Sequence, residues 1–139
     1  MMNDLKHAID ILRSNEYTLC LCGDKVYHSD KRGVAPIIDI IDSGIDVSGY
    51  CVADRVVGKA AAMMYVKLKV SSLYADVLSL PAYEFLQQHG IYTEYGALVD
   101  YIVNRKKDGR CPMESAVIDI SDVDIAYMAI KDKIKGMSK

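Results

Sequence analysis

Tyr50-Cys51-Val52-Ala53-Asp54-Arg55-Val56-Val57-Gly58-Lys59-Ala60-Ala61-Ala62-Met63-Met64-Tyr65-Val66 is the stretch whose reading decides the fold. Its β-branched first half predicts a strand over 50–57, which Gly58-Lys59 interrupts. From Ala60 to Val66 good helix formers combine with near-uniform apolarity, and this predicts a buried helix. A strand running directly into a buried helix is half of a parallel crossover. The pattern repeats downstream, with a strand over Ser72 to Leu78, a short helix over Pro81 to Gln88 closed by Gly90, and a fifth short strand over Ile91 to Tyr95. Strands alternating with short helices imply a partly parallel sheet with helices on both faces.

Upstream, Leu5, Ala8, Ile9 and Leu12 recur at helical spacing behind Asn3, a good N-cap, so the chain opens with an amphipathic helix. Tyr17 to Cys22 and Lys25 to His28 read as antiparallel strands joined at Gly23-Asp24, where Gly is expected to supply a positive φ. Val34 to Ser43 reads as a helix with Pro36 near its start and Gly44 ending it. Beyond Tyr95, the stripe Leu98, Val99, Ile102 predicts a helix that ends in the basic loop Asn104 to Arg110. Cys111-Pro112-Met113-Glu114 looks like another helix start. The last helix is expected from about Ser121, with Asp122 and Asp124 in its first turn and Lys131, Lys133 and Lys135 toward its end, which suits the macrodipole.

Composition narrows the function classes. The 139 residues, 51% hydrophobic and 26% charged, fit a single domain over 1–139 and lie far from the composition of disordered chains. With a net charge of -2, the molecule as a whole has no field to gather nucleic acid or anionic membrane. One Phe, no Trp and dispersed Tyr residues offer no platform for stacking single-stranded bases. No run is long and apolar enough for a membrane helix, and Met1 to Arg13 reads as an amphipathic helix rather than a signal peptide, so the expected location is the cytoplasm. Cys20, Cys22, Cys51 and Cys111 contain no CxxC and are expected as thiols, the first three in the core.

The order helix, hairpin, helix, strand, helix, strand, helix, strand resembles the cytidine deaminase-like fold, a three-layer α/β/α sandwich around a mixed five-stranded sheet. Three segments resemble more specifically the motifs of a bacterial family known as domain of unknown function 1893. They are Ala53 to Ala62, Val103-Asn104-Arg105 and Cys111-Pro112-Met113-Glu114, and the likeness spans about Leu5 to Val117. It implies a deaminase-like fold without an assigned activity. Zinc deaminases need H-x-E at the start of the second helix and P-C-x-x-C at the start of the third. Here those places hold Ser29 to Gly33 and Val57-Gly58-Lys59-Ala60, with no metal ligand in either, so neither zinc nor another cofactor is expected.

Several residues nevertheless suit chemistry. At Asp54 to Lys59 a strand ends, Gly58 permits close backbone approach and Lys59 sits in a first helical turn whose amides are expected to be bare. That is the pattern of a pocket for phosphate or carboxylate, beyond the carboxyl ends of the strands where open α/β sheets bind ligands. The alternative is that Gly58 relieves crowding and Lys59 pairs with Asp54. Asp54 is either a general base or ligand-orienting group held ionised by Lys59, or a strand-end acceptor for backbone donors. Cys111, after Arg110 at a helix start, has the surroundings of a nucleophile but no evident His partner, so a capping thiol is the preferred reading and a nucleophile the alternative. Glu114 is a second proton-transfer candidate or an ordinary cap. Asn104 and Arg105 are candidate ligand contacts, Arg as a fork for phosphate.

The expected function is binding of a nucleotide or other phosphate-bearing small molecule at the junction of the third strand and third helix, through Gly58, Lys59, Asn104 and Arg105. If the site is catalytic, Asp54, Lys59, Cys111 and Glu114 carry the reaction. The competing expectation is a non-catalytic, possible homo-oligomer module that keeps only the fold, motivated by apolar side chains in excess of what a small monomer needs.

Overall fold

The computed structural model describes residues 2–31, 33–102 and 112–137. Helix α1 spans Met2–Ser14, the hairpin β1 (Leu19–Cys22) and β2 (Val26–Ser29) follows, and then come α2 (Ala35–Ser43), β3 (Cys51–Val57), α3 (Lys59–Lys67), β4 (Ser72–Ser79), α4 (Leu80–Gln88), β5 (Tyr92–Val99), α5 (Pro112–Ala116) and α6 (Val123–Met137). The five strands form one mixed sheet in the order β2-β1-β3-β4-β5. β1 pairs antiparallel with β2 and β3, whereas β3, β4 and β5 run parallel, each joined to the next by a helix.

Two cores lie on the two faces of this sheet. On one face α1 presents Leu5, Ala8 and Leu12, spaced three and four residues apart, to Cys20, Cys22, Cys51, Ala53 and Tyr74. Each fully buried Leu contributes about 2 kcal/mol relative to exposure. The other face is covered by α2, α3, α4 and α6, through Ile37, Met63, Met64, Phe85, Leu86 and Ile130 among others. α3 is the most enclosed helix, with Ala60 to Tyr65 all buried, as its apolar run demands.

Local signals act as their chemistry dictates. Gly44 closes α2 in the left-handed conformation at φ 75°. Ser79 caps α4, its Oγ accepting the N–H of Ala82 at 3.2 Å. Asp122 caps α6, accepting the N–H groups of Asp124 and Ile125 at 2.8 and 3.0 Å. The end of α1 is finished from outside the helix. Arg55 donates to the carbonyls of Leu12 and Asn15 at 2.6 and 3.1 Å and to that of Tyr17 at 3.1 Å, and its guanidinium pairs with Asp76 at 3.3 Å.

Two expectations are corrected. The residues 96–99 continue β5 rather than starting a helix, because they extend the parallel ladder with β4 through Leu78↔Leu98 and Ser79↔Val99. Gly23 does not take a positive φ. It is small because the ring of Tyr50 lies against it, where a Cβ would come within 2.4 Å of Tyr50 Cδ1.

Candidate functional site

The turn between β3 and α3 does not present bare amides to solvent. Glu114 of α5, only 2% exposed, reaches into it. Its Oε1 accepts the Lys59 N–H at 3.3 Å and the Ser79 hydroxyl at 2.8 Å, and its Oε2 accepts the Ile102 N–H at 2.9 Å. The carboxylate therefore occupies the place an external anion would take at the N-terminus of α3, where the helix dipole favours negative charge. Through Ser79 it also touches the cap of α4. Gly58 is what admits it, since a Cβ there would lie 3.1 Å from Ile102 Cγ1 and 3.2 Å from both Cδ and Oε2 of Glu114.

Lys59 points elsewhere. Its Nζ donates to the Ile118 carbonyl at 2.9 Å, and no ion pair with Asp54 forms among the described residues. The expected Asp54–Lys59 pair fails for a geometric reason, because the Asp54 side chain lies under α3 and binds a residue a turn and a half along that helix. Tyr65 Oη donates to Asp54 Oδ2 at 2.6 Å and the Val56 N–H to Oδ1 at 3.3 Å. Asp54 is 7% exposed. Burial pushes its carboxyl up to about 7 despite the bonds from Tyr65 and from the amides of Val56 and Arg55. Burial likewise drives the Tyr65 hydroxyl well above its ordinary range, with the Asp54 carboxylate adding to the effect. Asp54 and Tyr65 thus share one interior hydrogen bond and do not open onto solvent.

Lys59 also borders a cleft of about 340 Å³, lined in part by Leu80, Glu84, Phe85, Asp100 and Ser121 as well. Lys59 follows β3, Leu80 follows β4 and Asp100 follows β5, so the cleft sits beyond the carboxyl ends of all three parallel strands. Its volume is within the range of small-ligand sites. Among the described lining residues, Lys59 is the cation and Glu84 and Asp100 are the acids.

Of the residues expected at the site, Gly58, Lys59 and Glu114 come together, and Asp54 stands apart beneath α3. Asn104, Arg105 and Cys111 lie outside the described residues. Among the described residues, no group of three or more His, Cys, Asp or Glu is placed to hold a metal ion. Cys20, Cys22 and Cys51 are buried free thiols. Cys20 Sγ lies 3.8 Å from Cys22 Sγ, and burial pushes the Cys20 thiol up to about 12, which keeps it protonated. Residues missed by sequence reasoning are Tyr65, Ser79, Glu84 and Asp100. Only Ser79 carried a local signal, as a Ser two residues before Pro81 at a strand–helix boundary.

A mixed five-stranded sheet with crossover helices defines an α/β protein. The family model described as "TM1506: Domain of unknown function (DUF1893)" matches residues 7–134, and the chain belongs to that family. A crystal structure of a DUF1893 family protein (TM1506) from Thermotoga maritima shares the fold, with a TM-score of 0.88 at 24% identity over 96% of this chain and 91% of that one. No curated protein matches. No helix among the described residues is long and apolar enough to cross a membrane.

Proposed function

We propose that this protein binds a nucleotide or other phosphate-bearing small molecule in the cleft beside Lys59, without zinc-dependent deamination. The observation that carries the proposal is the placement of the Lys59 ammonium on a cleft at the carboxyl ends of β3, β4 and β5. Its hydrogen bond to the carbonyl of the exposed Ile118 is one that a phosphate replaces at little cost. Glu84 and Asp100 make the described lining net acidic, so a polyphosphate is disfavoured. A monophosphate that also carries neutral N–H donors, such as the amino group of a nucleobase, gives the ammonium an anion and the two carboxylates hydrogen-bond donors. Antiparallel β1 beside parallel β3, β4 and β5 supports reading the fold as cytidine deaminase-like. The buried thiols fit a reducing, cytoplasmic setting. Asp54 and Glu114 are not proton carriers in this proposal, because both are buried and spent on internal hydrogen bonds.

Thermal denaturation with nucleoside monophosphates, the matching triphosphates and inorganic phosphate tests the proposal. At a hundredfold excess over Kd a ligand stabilises by about 2.7 kcal/mol, a shift on the order of 10 °C for a domain this small. The monophosphates should raise the Tm of the wild type more than the triphosphates do, and Lys59→Ala should abolish the shift while leaving the unliganded Tm near its original value. A wild type that responds to none of them, or a variant that responds equally, overturns the assignment.

A further inference from the structure

One wall of the cleft bordered by Lys59 is made by α4. Pro81, Glu84, Phe85 and Gln88 all line it, and their spacing sets them on a single face of that helix. Glu84 and Gln88 are one turn apart, so their head groups are neighbours. Both are exposed, and neither side chain makes a hydrogen bond or ion pair among the described residues. In the same cleft the large apolar side chains of Leu80, at 39%, and Ile118, at 40%, are left open, which suits a flat ring laid across them.

We propose that the phosphate-bearing ligand is a guanine nucleotide whose base is read by Glu84 and Gln88; this rests on the reading of the cleft as a nucleotide site. An ionised carboxylate only accepts hydrogen bonds, through two oxygens side by side. Among the common nucleobases, guanine sets two donors next to each other on its pairing edge, the N1–H and the 2-amino group. One carboxylate takes both in a single plane. Adenine and cytosine place a ring-nitrogen lone pair beside their amino group, and the second carboxylate oxygen repels it. Uracil and hypoxanthine offer one ring N–H with no donor beside it.

Gln88 completes the match. The guanine O6 follows the N1–H on the same edge, and the Gln88 amide, one turn further along α4, supplies the N–H it accepts. Two acceptors and a donor in order on the helix thus complement two donors and an acceptor in order on the base. Asp100, the other acid of the described lining, follows β5 and shares no helix face with that amide, so the base falls to α4.

Isothermal titration calorimetry of the full chain with guanosine, inosine, adenosine and cytidine monophosphates tests the assignment. The guanosine compound should have the lowest Kd, by about tenfold or more, since a bidentate contact discriminates bases on that scale. Glu84→Gln turns the acceptor pair into an acceptor and a donor, the set that the amino group and ring nitrogen of adenine require. The ratio of the guanosine to the adenosine Kd should therefore rise by more than about tenfold. That ratio is blind to the removed charge, which acts on every phosphate alike. Gln88→Ala should weaken the guanosine and inosine compounds, which share O6, relative to the other two. Both side chains are exposed, so both variants should keep the circular dichroism of the fold. Equal binding of the four compounds, or a guanosine preference that survives Glu84→Gln, overturns the guanine assignment and leaves the phosphate reading standing. Binding of none of them overturns both.

Discussion

Replacing Asp54 by Asn should change the pH dependence of stability in one direction only. The carboxyl is enclosed between β3 and α3, with Tyr65 Oη and the Val56 N–H as its hydrogen-bonding partners and Arg55 directed to the opposite face. Because burial raises it to about 7, the folded protein keeps a proton that the unfolded chain has already released above its ordinary value near 4. Stability contributed by this group is therefore complete below about pH 4 and is lost progressively as the pH rises to about 7, beyond which it is flat. The full interval corresponds to roughly 4 kcal/mol at 1.36 kcal/mol per pH unit. The substituted amide has nearly the same shape as the carboxyl, accepts the Tyr65 hydrogen bond through its oxygen and cannot ionise. Urea denaturation of both proteins at pH 4.5 and pH 8 reads the effect as a change in midpoint at constant m. The stability of the variant relative to the wild type should improve by a few kcal/mol from the lower to the higher pH, and any constant cost of the amide cancels in that comparison. A gap that stays constant between the two pH values would refute the reasoning, and one that moves the other way would mean that the fold stabilises the charged carboxylate.

Glu114→Ala removes the acceptor shared by Lys59 N–H, Ser79 Oγ and Ile102 N–H. At about 1 kcal/mol for each orphaned donor the loss is roughly 3 kcal/mol, measurable by the same denaturation series. A loss below about 1 kcal/mol would show that water replaces the carboxylate without penalty. Gly58→Ala inserts a methyl group 3.1 Å from Ile102 and 3.2 Å from Glu114 and should cost about 1–2 kcal/mol. Combining it with Glu114→Asp, which withdraws the carboxylate by one methylene, should cost less than the sum of the single changes, and strict additivity would deny that the two residues touch.

The helix-hairpin-helix opening and the two crossovers were legible because their signals are local: helical spacing in α1 and α2, β-branched runs in β3 and β4, and Gly or Pro at the boundaries. β5 was cut short at Tyr95 for an equally local reason. An edge strand open on both faces has no buried face to impose alternation, so Leu98, Val99 and Ile102 mimic a helical stripe, and Gly96 looks like a stop. Gly96 is instead needed within the strand, since a Cβ there would fall 2.8 Å from the Asp76 carbonyl oxygen. The site was less legible than the fold. The Gly58-Lys59 turn was found at the right place, but the partner of its amide is 55 residues away on α5. Nothing near Asp54 in the sequence indicates that Tyr65, rather than Lys59, will meet it, because that choice depends on how α3 docks on the sheet.

With the Glu114 carboxylate resident at the head of α3, the molecule carries its own competitor for any incoming anion. A phosphate has no claim on the helix amides unless it evicts a side chain already tethered at three points, and must make do with one ammonium at the rim. A ligand bound as proposed would therefore be held loosely and released readily.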